Sequence, residues 1–158
     1  MVHIIQAAKA AVAAYAAAVG LGGNPSTPTT DVSAAMASLY LANFTSFTLG
    51  AVTVFANETV AANGIAGILF LYDKSGLGTD IRLRASRVER VSDQAALCWL
   101  TWRIYPRNGV KPWSFVDLYG FRAAPNRTGG LEGGWEFSNA DNEYEELLKR
   151  APNFFGMS

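Results

Sequence analysis

The sequence predicts a single soluble α+β domain, with helices covering one face of a curved antiparallel sheet around an apolar pocket. Three observations carry that expectation. Helical periodicity dominates the N-terminal half, whereas long runs of period-two alternation dominate residues 80 to 137, and segregation of this kind marks α+β layering. Half of the residues are hydrophobic and 12% are aromatic, enough to fill a core and line a cavity. The length of 158 residues suits one domain spanning 1–158 and is short for two.

Residues 3 to 19 read as an amphipathic helix with the stripe Ile4, Ala8, Val12, Tyr15 and Val19, ending at Gly20. The run Ala10 to Val19 also has the look of a signal-peptide core, but no basic segment precedes it and Lys9 interrupts the apolar stretch. No stretch is expected to span a membrane. Gly22, Gly23, Pro25 and Pro28 make a loop, and Asp31 is expected to cap a short helix with the stripe Val32, Ala35, Met36 and Leu39. Phe44 to Val54 reads as a strand. A third helix is expected from near Asn57 to Gly76, apolar almost all round through Ile65, Ile68, Leu69, Phe70 and Leu71, so that both its faces are covered. Its interior Gly64 and Gly67 each cost ~1 kcal/mol relative to alanine; their spacing puts both near one face, leaving room for a ligand or for close packing against the sheet.

Asp80–Val91 and Gln94–Tyr105 flank Ser92-Asp93 as a hairpin. A two-residue turn there pairs Leu83 with Trp102, Ile81 with Ile104 and Ala85 with Leu100 on one apolar face, and Arg84 with Thr101 and Ser86 with Trp99 on the other. Pro112 to Arg122 and Leu131 to Phe137 supply the last two strands. Ser138 and Asp141 fit a capping box for a terminal helix with supporting pairs Glu145–Lys149 and Glu146–Arg150.

This order of elements resembles the nuclear transport factor 2-like superfamily, which includes polyketide cyclases, ketosteroid isomerase and scytalone dehydratase. The most local likeness lies in Val116-Asp117-Leu118-Tyr119 and Leu131-Glu132-Gly133-Gly134-Trp135-Glu136. These are similar to the last two strands of cyclase-like members, the second of which commonly ends His-Trp-Asp. Here Glu136 stands where the acid would be and Gly134 replaces the histidine. The resemblance implies a cone whose sheet wraps the helices around a pocket, and a scaffold often used for designed ligand binders. It also implies a possible homodimer through the exposed sheet face.

Composition excludes several function classes. Thirteen basic and thirteen acidic residues cancel, so no global field gathers phosphates, and neither nucleic acid nor a membrane is expected as a partner. Cys98 is the only cysteine, which removes disulfides and thiolate clusters and favours a reducing, cytoplasmic setting. In that setting the sequons at Asn43, Asn57 and Asn126 carry no meaning. His3 is the only histidine and sits at the chain start, so histidine-dependent triads and zinc sites are not expected. No phosphate-binding or dinucleotide fingerprint is present, and no metal or cofactor is expected. Arg82, Arg84, Arg90 and Arg103 share a face that reads as solvated, with Trp99 under arginine stems; an anion site is the sharper alternative.

Trp113, Phe115, Asp117, Tyr119 and Phe121 alternate along one strand, embedding a carboxyl among four aromatic rings. Desolvation there should raise the pKa of Asp117, as a general acid or base needs, although a buried aspartate accepting structural hydrogen bonds is the blander reading. The expected pocket lining is Tyr15, Met36, Tyr40, Phe47, Ile65, Leu69, Leu83, Trp102, Trp113, Phe115, Asp117, Tyr119 and Trp135. Such a surface suits a sterol, secosteroid, terpenoid or reduced polyketide. Two functions stay open: binding of a small lipophilic molecule without turnover, natural or engineered, which is preferred, and an isomerase or cyclase using Asp117 or Glu136 as general acid or base.

Overall fold

The computed structural model describes residues 3–125 and 127–156. Helix α1 (Ile4–Gly20) starts where His3 Nδ1 accepts from the Gln6 amide at 3.4 Å, and the whole expected stripe from Ile4 to Val19 is buried. A 3₁₀ turn, Leu21–Gly23, prolongs it. By length and composition the run Ile4–Gly23, with mean hydropathy 1.6, would pass for a membrane-crossing helix, contrary to the expectation that no stretch would. Here its stripe is buried in the hydrophobic core instead.

Helix α2 (Thr29–Ala37) begins earlier than an Asp31 cap would have it. The Pro28 carbonyl already accepts from the Asp31 and Val32 amides at 2.9 and 3.2 Å, which leaves Asp31 in the first turn, where its charge complements the helix dipole. The single strand expected over 44–54 is a hairpin of β1 (Tyr40–Thr48) and β2 (Ala51–Phe55). Leu49 and Gly50 turn between them at φ 49° and 87°, the left-handed pair that a tight hairpin requires. Leucine rarely signals such a turn; the Leu49 amide is held by Asp141 Oδ1 at 2.6 Å.

Helix α3 (Glu58–Lys74) is capped by Asn57, whose Oδ1 accepts from the Val60 amide at 3.0 Å. Only one of its faces is covered, through Ala61, Ile65, Leu69 and Tyr72, whereas Phe70 is 56% exposed. The expectation of two covered faces fails because what packs on this helix, chiefly α2 with a smaller part from β1 and β2, covers only the side of Ala61, Ile65, Leu69 and Tyr72.

Strands β3 (Ile81–Arg90), β4 (Ala95–Ile104), β5 (Trp113–Ala123) and β6 (Gly133–Asn139) complete a six-stranded sheet of order β2-β1-β6-β5-β4-β3, antiparallel except for β1 beside β6. Ile81 faces Ile104 and Leu83 faces Trp102 as expected, but a bulge at Arg84 then slips the register. Ala85 pairs with Thr101, Ser86 with Leu100 and Arg87 with Trp99, so the turn is one residue longer than Ser92-Asp93. The expected arginine face is solvated but does not hold together. Arg82 pairs with Asp80 at 2.9 Å and stacks on Tyr105, and Arg87 lies over the Trp99 ring on the outer side, whereas the bulge sets Arg90 opposite the buried Ala96, on the other side, where it reaches Asp93.

Helix α4 (Asp141–Arg150) has no capping box. Ser138 belongs to β6 and is buried, while Asn139 Oδ1 accepts from the Asp141 amide at 3.0 Å. Lys149 and Arg150 both pair with Glu146, so the expected Glu145–Lys149 pair is absent. Of the three sequons, Asn43 sits at φ 60° within the irregular stretch of β1, Asn57 is the α3 cap, and Asn126 lies outside the described residues.

Candidate functional site

The helices and the concave side of the sheet enclose a cavity of about 140 Å³. Of the expected lining, Tyr15, Met36, Tyr40, Ile65, Leu69, Trp102, Phe115, Asp117 and Tyr119 face it. The other four do not. Phe47 is 40% exposed on the outer face, edge-on to Phe137. Leu83 is half-buried at the margin of the core, Trp113 is buried under the Arg150 guanidinium at 4.7 Å, and Trp135 is fully buried behind Tyr15 and Tyr119.

A single bulge explains how β6 is arranged. Opposite Gly120 and Phe121 stand Phe137 and Trp135, with Glu136 left unpaired between them. The extra residue resets the alternation, so Trp135 and Ser138 are both buried while Phe137 swings outward. Phe137 lies over Gly120, where a Cβ would come within 2.1 Å of its ring. Glu136 points away from the cavity and pairs with Arg122 at 3.0 Å, which removes it as an acid for the pocket. At Gly134 a Cβ would lie 2.4 Å from the Leu39 carbonyl oxygen, so the position where cyclase-like members carry histidine has no room for a side chain.

Two polar clusters interrupt the apolar wall. In the first, the Tyr15 hydroxyl meets those of Tyr40 at 2.7 Å and Tyr119 at 3.0 Å, three phenols drawn from α1, β1 and β5. The second joins Asp117, only 3% exposed, to Glu143 in the first turn of α4. The Val116 amide donates to Asn142 Oδ1 at 2.7 Å, which ties that turn to β5 one residue from Asp117. Glu143 Oε2 also accepts from the Tyr72 hydroxyl at 2.7 Å.

Burial, and then the neighbouring Glu143 charge, push the Asp117 carboxyl well above the usual carboxylate range. Burial raises Glu143 as well, against the opposing hydrogen bonds from Asp117 and Tyr72. Neighbouring buried carboxyls that are both raised in this way favour holding a proton over ionising together. Glu143 was not anticipated because its partner stands 26 residues away, and a glutamate in a first helical turn reads locally as complementing the dipole. No lysine, arginine or histidine among the described residues lines the cavity. Among the described residues, Asp117 Oδ1 and Trp102 Nε1 are buried without a hydrogen-bond partner, and no three His, Cys, Asp or Glu side chains are grouped to hold a metal.

The glycines of α3 part company. A Cβ on Gly64 would meet the Phe55 ring at 2.7 Å at the cavity wall, so that glycine is used for close approach. Gly67 is exposed, with open space where its Cβ would be, and contributes nothing to the pocket.

No family model matches the chain, and no curated protein does. Solved structures do match. A ketosteroid isomerase-like protein from Erwinia carotovora atroseptica aligns over 88% of this chain and 95% of its own, with a TM-score of 0.60 at 13% identity. An NTF2-like protein of unknown function from Shewanella oneidensis aligns over 85% and 95%, with a TM-score of 0.58 at 12% identity. A protein from Catenulispora acidiphila with the ketosteroid isomerase-like fold, in complex with trimethylamine, aligns over 81% of each chain, with a TM-score of 0.51 at 12% identity. With its curved, unclosed sheet around N-terminal helices, the chain has the cone fold of the nuclear transport factor 2-like superfamily.

Proposed function

We propose that the protein binds a small lipophilic molecule in this cavity without turning it over. One observation carries the reading: a cavity of about 140 Å³ with aromatic and aliphatic walls and its polar groups gathered into two clusters. Apolar enclosure provides the free energy of binding, while a few fixed polar groups orient the ligand. The volume sets the scale of that ligand. An apolar cavity of ~150 Å³ accommodates benzene, so a single-ring terpenoid or polyketide fragment suits this one, whereas a sterol or secosteroid would require α3 to move away from β1 and β2. The trimethylamine held by the Catenulispora protein supports a ligand of small size in this fold. A cytoplasmic setting accords with Cys98, which is free and buried, its thiol pushed up to about 12 by desolvation.

The second reading, proton transfer by an isomerase or cyclase, now rests on Asp117 alone. It ranks lower because Glu136 is tied to Arg122 outside the cavity, which takes one of its two acids away from any bound molecule. A panel of single-ring hydrocarbons, alcohols, ketones and amines, followed by tryptophan fluorescence and thermal midpoint, tests the binder. Saturable quenching that disappears in Trp102→Phe is expected. A panel that moves neither signal would count decisively against it.

A further inference from the structure

The cavity has a charge problem that its own residues leave open. Asp117 and Glu143 put two carboxyls into one apolar enclosure, and one proton between them still leaves a negative charge there. The hydroxyls lining the cavity are those of Tyr15, Tyr40, Tyr72, Tyr119 and Tyr144 and those of Ser46, Thr48, Thr79 and Ser138, all neutral, and among the described residues no basic side chain lines it. Burial holds these phenols in their neutral form. Asp117 Oδ1 is buried with no hydrogen-bond partner, and an unfilled polar atom at the carboxyl pair is costly unless a donor reaches it.

The surrounding wall is suited to a cation. Tyr15, Tyr40, Phe44, Trp102, Phe115 and Tyr119 present aromatic rings to the space beside the carboxyl pair, and ring faces attract ammonium groups strongly once water is excluded. The geometry points to a small organic ammonium as the ligand class: a primary to tertiary amine whose N–H⁺ donates to the Asp117–Glu143 pair while its hydrocarbon portion fills the aromatic enclosure. This identification rests on the pocket-binding reading above and narrows its ligand. Binding of the charged amine adds one positive charge beside the pair while the shared proton stays, so the complex holds one carboxylic acid, one carboxylate, one ammonium and the neutral phenols, with no net charge.

The test uses two probes with the same number of heavy atoms, cyclohexylamine and cyclohexanol, titrated calorimetrically into the full chain at pH 7 in buffers of different ionisation enthalpy. Cyclohexylamine is expected to bind about 10- to 100-fold more tightly than cyclohexanol, as a charge-assisted hydrogen bond would provide, with no proton released by the pair. The double variant Asp117→Asn with Glu143→Gln should remove that preference, with cyclohexanol changed by no more than the roughly tenfold that a lost neutral hydrogen bond allows. Each single variant, which keeps one carboxylate, should retain the preference for the amine, and a preference that persists in the double variant as in the singles would overturn the assignment. Cyclohexanol binding as tightly as the amine would overturn the ammonium assignment and leave the lipophilic pocket standing. If neither probe binds, the ammonium assignment falls, and the neutral panel described above decides the broader reading on its own.

Discussion

At the scale of single residues, Asp117 shows how far a linear pattern reaches. The alternation Trp113, Phe115, Asp117, Tyr119, Phe121 fixes a carboxyl on the buried side of a strand, and it is 3% exposed there. Asparagine at this position preserves size and most hydrogen bonds. If the protein only binds, Asp117→Asn should change affinity for a neutral ligand by at most ~0.5 to 1.5 kcal/mol, read by calorimetry. Turnover that falls ~10²- to 10⁴-fold with binding intact would instead install acid–base catalysis. Gly134 gives a prediction of the opposite kind, about stability. Alanine there drives a methyl into the Leu39 carbonyl, whose bond to the Trp135 amide at 2.8 Å joins β6 to the chain before β1. Gly134→Ala should destabilise by ~1 to 3 kcal/mol, measured by urea unfolding, and a bulkier side chain should cost more.

At the scale of elements, hydrophobic periodicity identified the strands and helices better than it identified their faces. The terminal cap of α3 follows from Asn57, but its apolar circumference suggested two covered faces and the molecule covers one. Gly67 lies on the uncovered side. Gly67→Ala should therefore stabilise the protein by ~0.5 to 1 kcal/mol through helix propensity, and Gly67→Leu should leave ligand affinity unchanged; a loss of affinity would bring Gly67 back to the pocket. Gly64→Ala, by contrast, must displace the Phe55 ring and should lower the thermal midpoint. The hairpin of β3 and β4 makes a related point. Its first pairs are legible because Leu83 and Trp102 are both apolar. The bulge at Arg84 is not, since an exposed arginine tolerates either register.

At the scale of the whole molecule, the carboxyl pair ties global stability to pH. Unfolded Asp and Glu titrate near pH 4, whereas both Asp117 and Glu143 are raised in the folded chain. Between those limits the native state binds more protons than the unfolded one, so stability falls as pH rises through the window. The contribution is full below about pH 4 and is lost toward the raised native values. Thermal midpoints measured from pH 4 to 8 should decline more steeply for the wild type than for Asp117→Asn with Glu143→Gln. Equal slopes would show that the pair is not proton-sharing. An added amine ligand should offset the decline, because its positive charge balances one of the two carboxylates.

The sequence by itself determined the order of helices and strands apart from the split of β1 and β2, the buried stripe of α1, the aromatic strand around Asp117 and the solvated position of Arg82. Each of these depends on a period of 2 or 3.6 residues, which neighbouring positions express directly. Only the tertiary structure decided which of those side chains meet in the cavity. Glu143 joins Asp117 because Asn142 caps the Val116 amide, Trp135 withdraws behind Tyr15, and a bulge at Glu136 turns one face of β6 inside out. The physical reason is that a bulge changes side-chain direction without changing composition, and a contact between residues 26 apart leaves no local pattern to read.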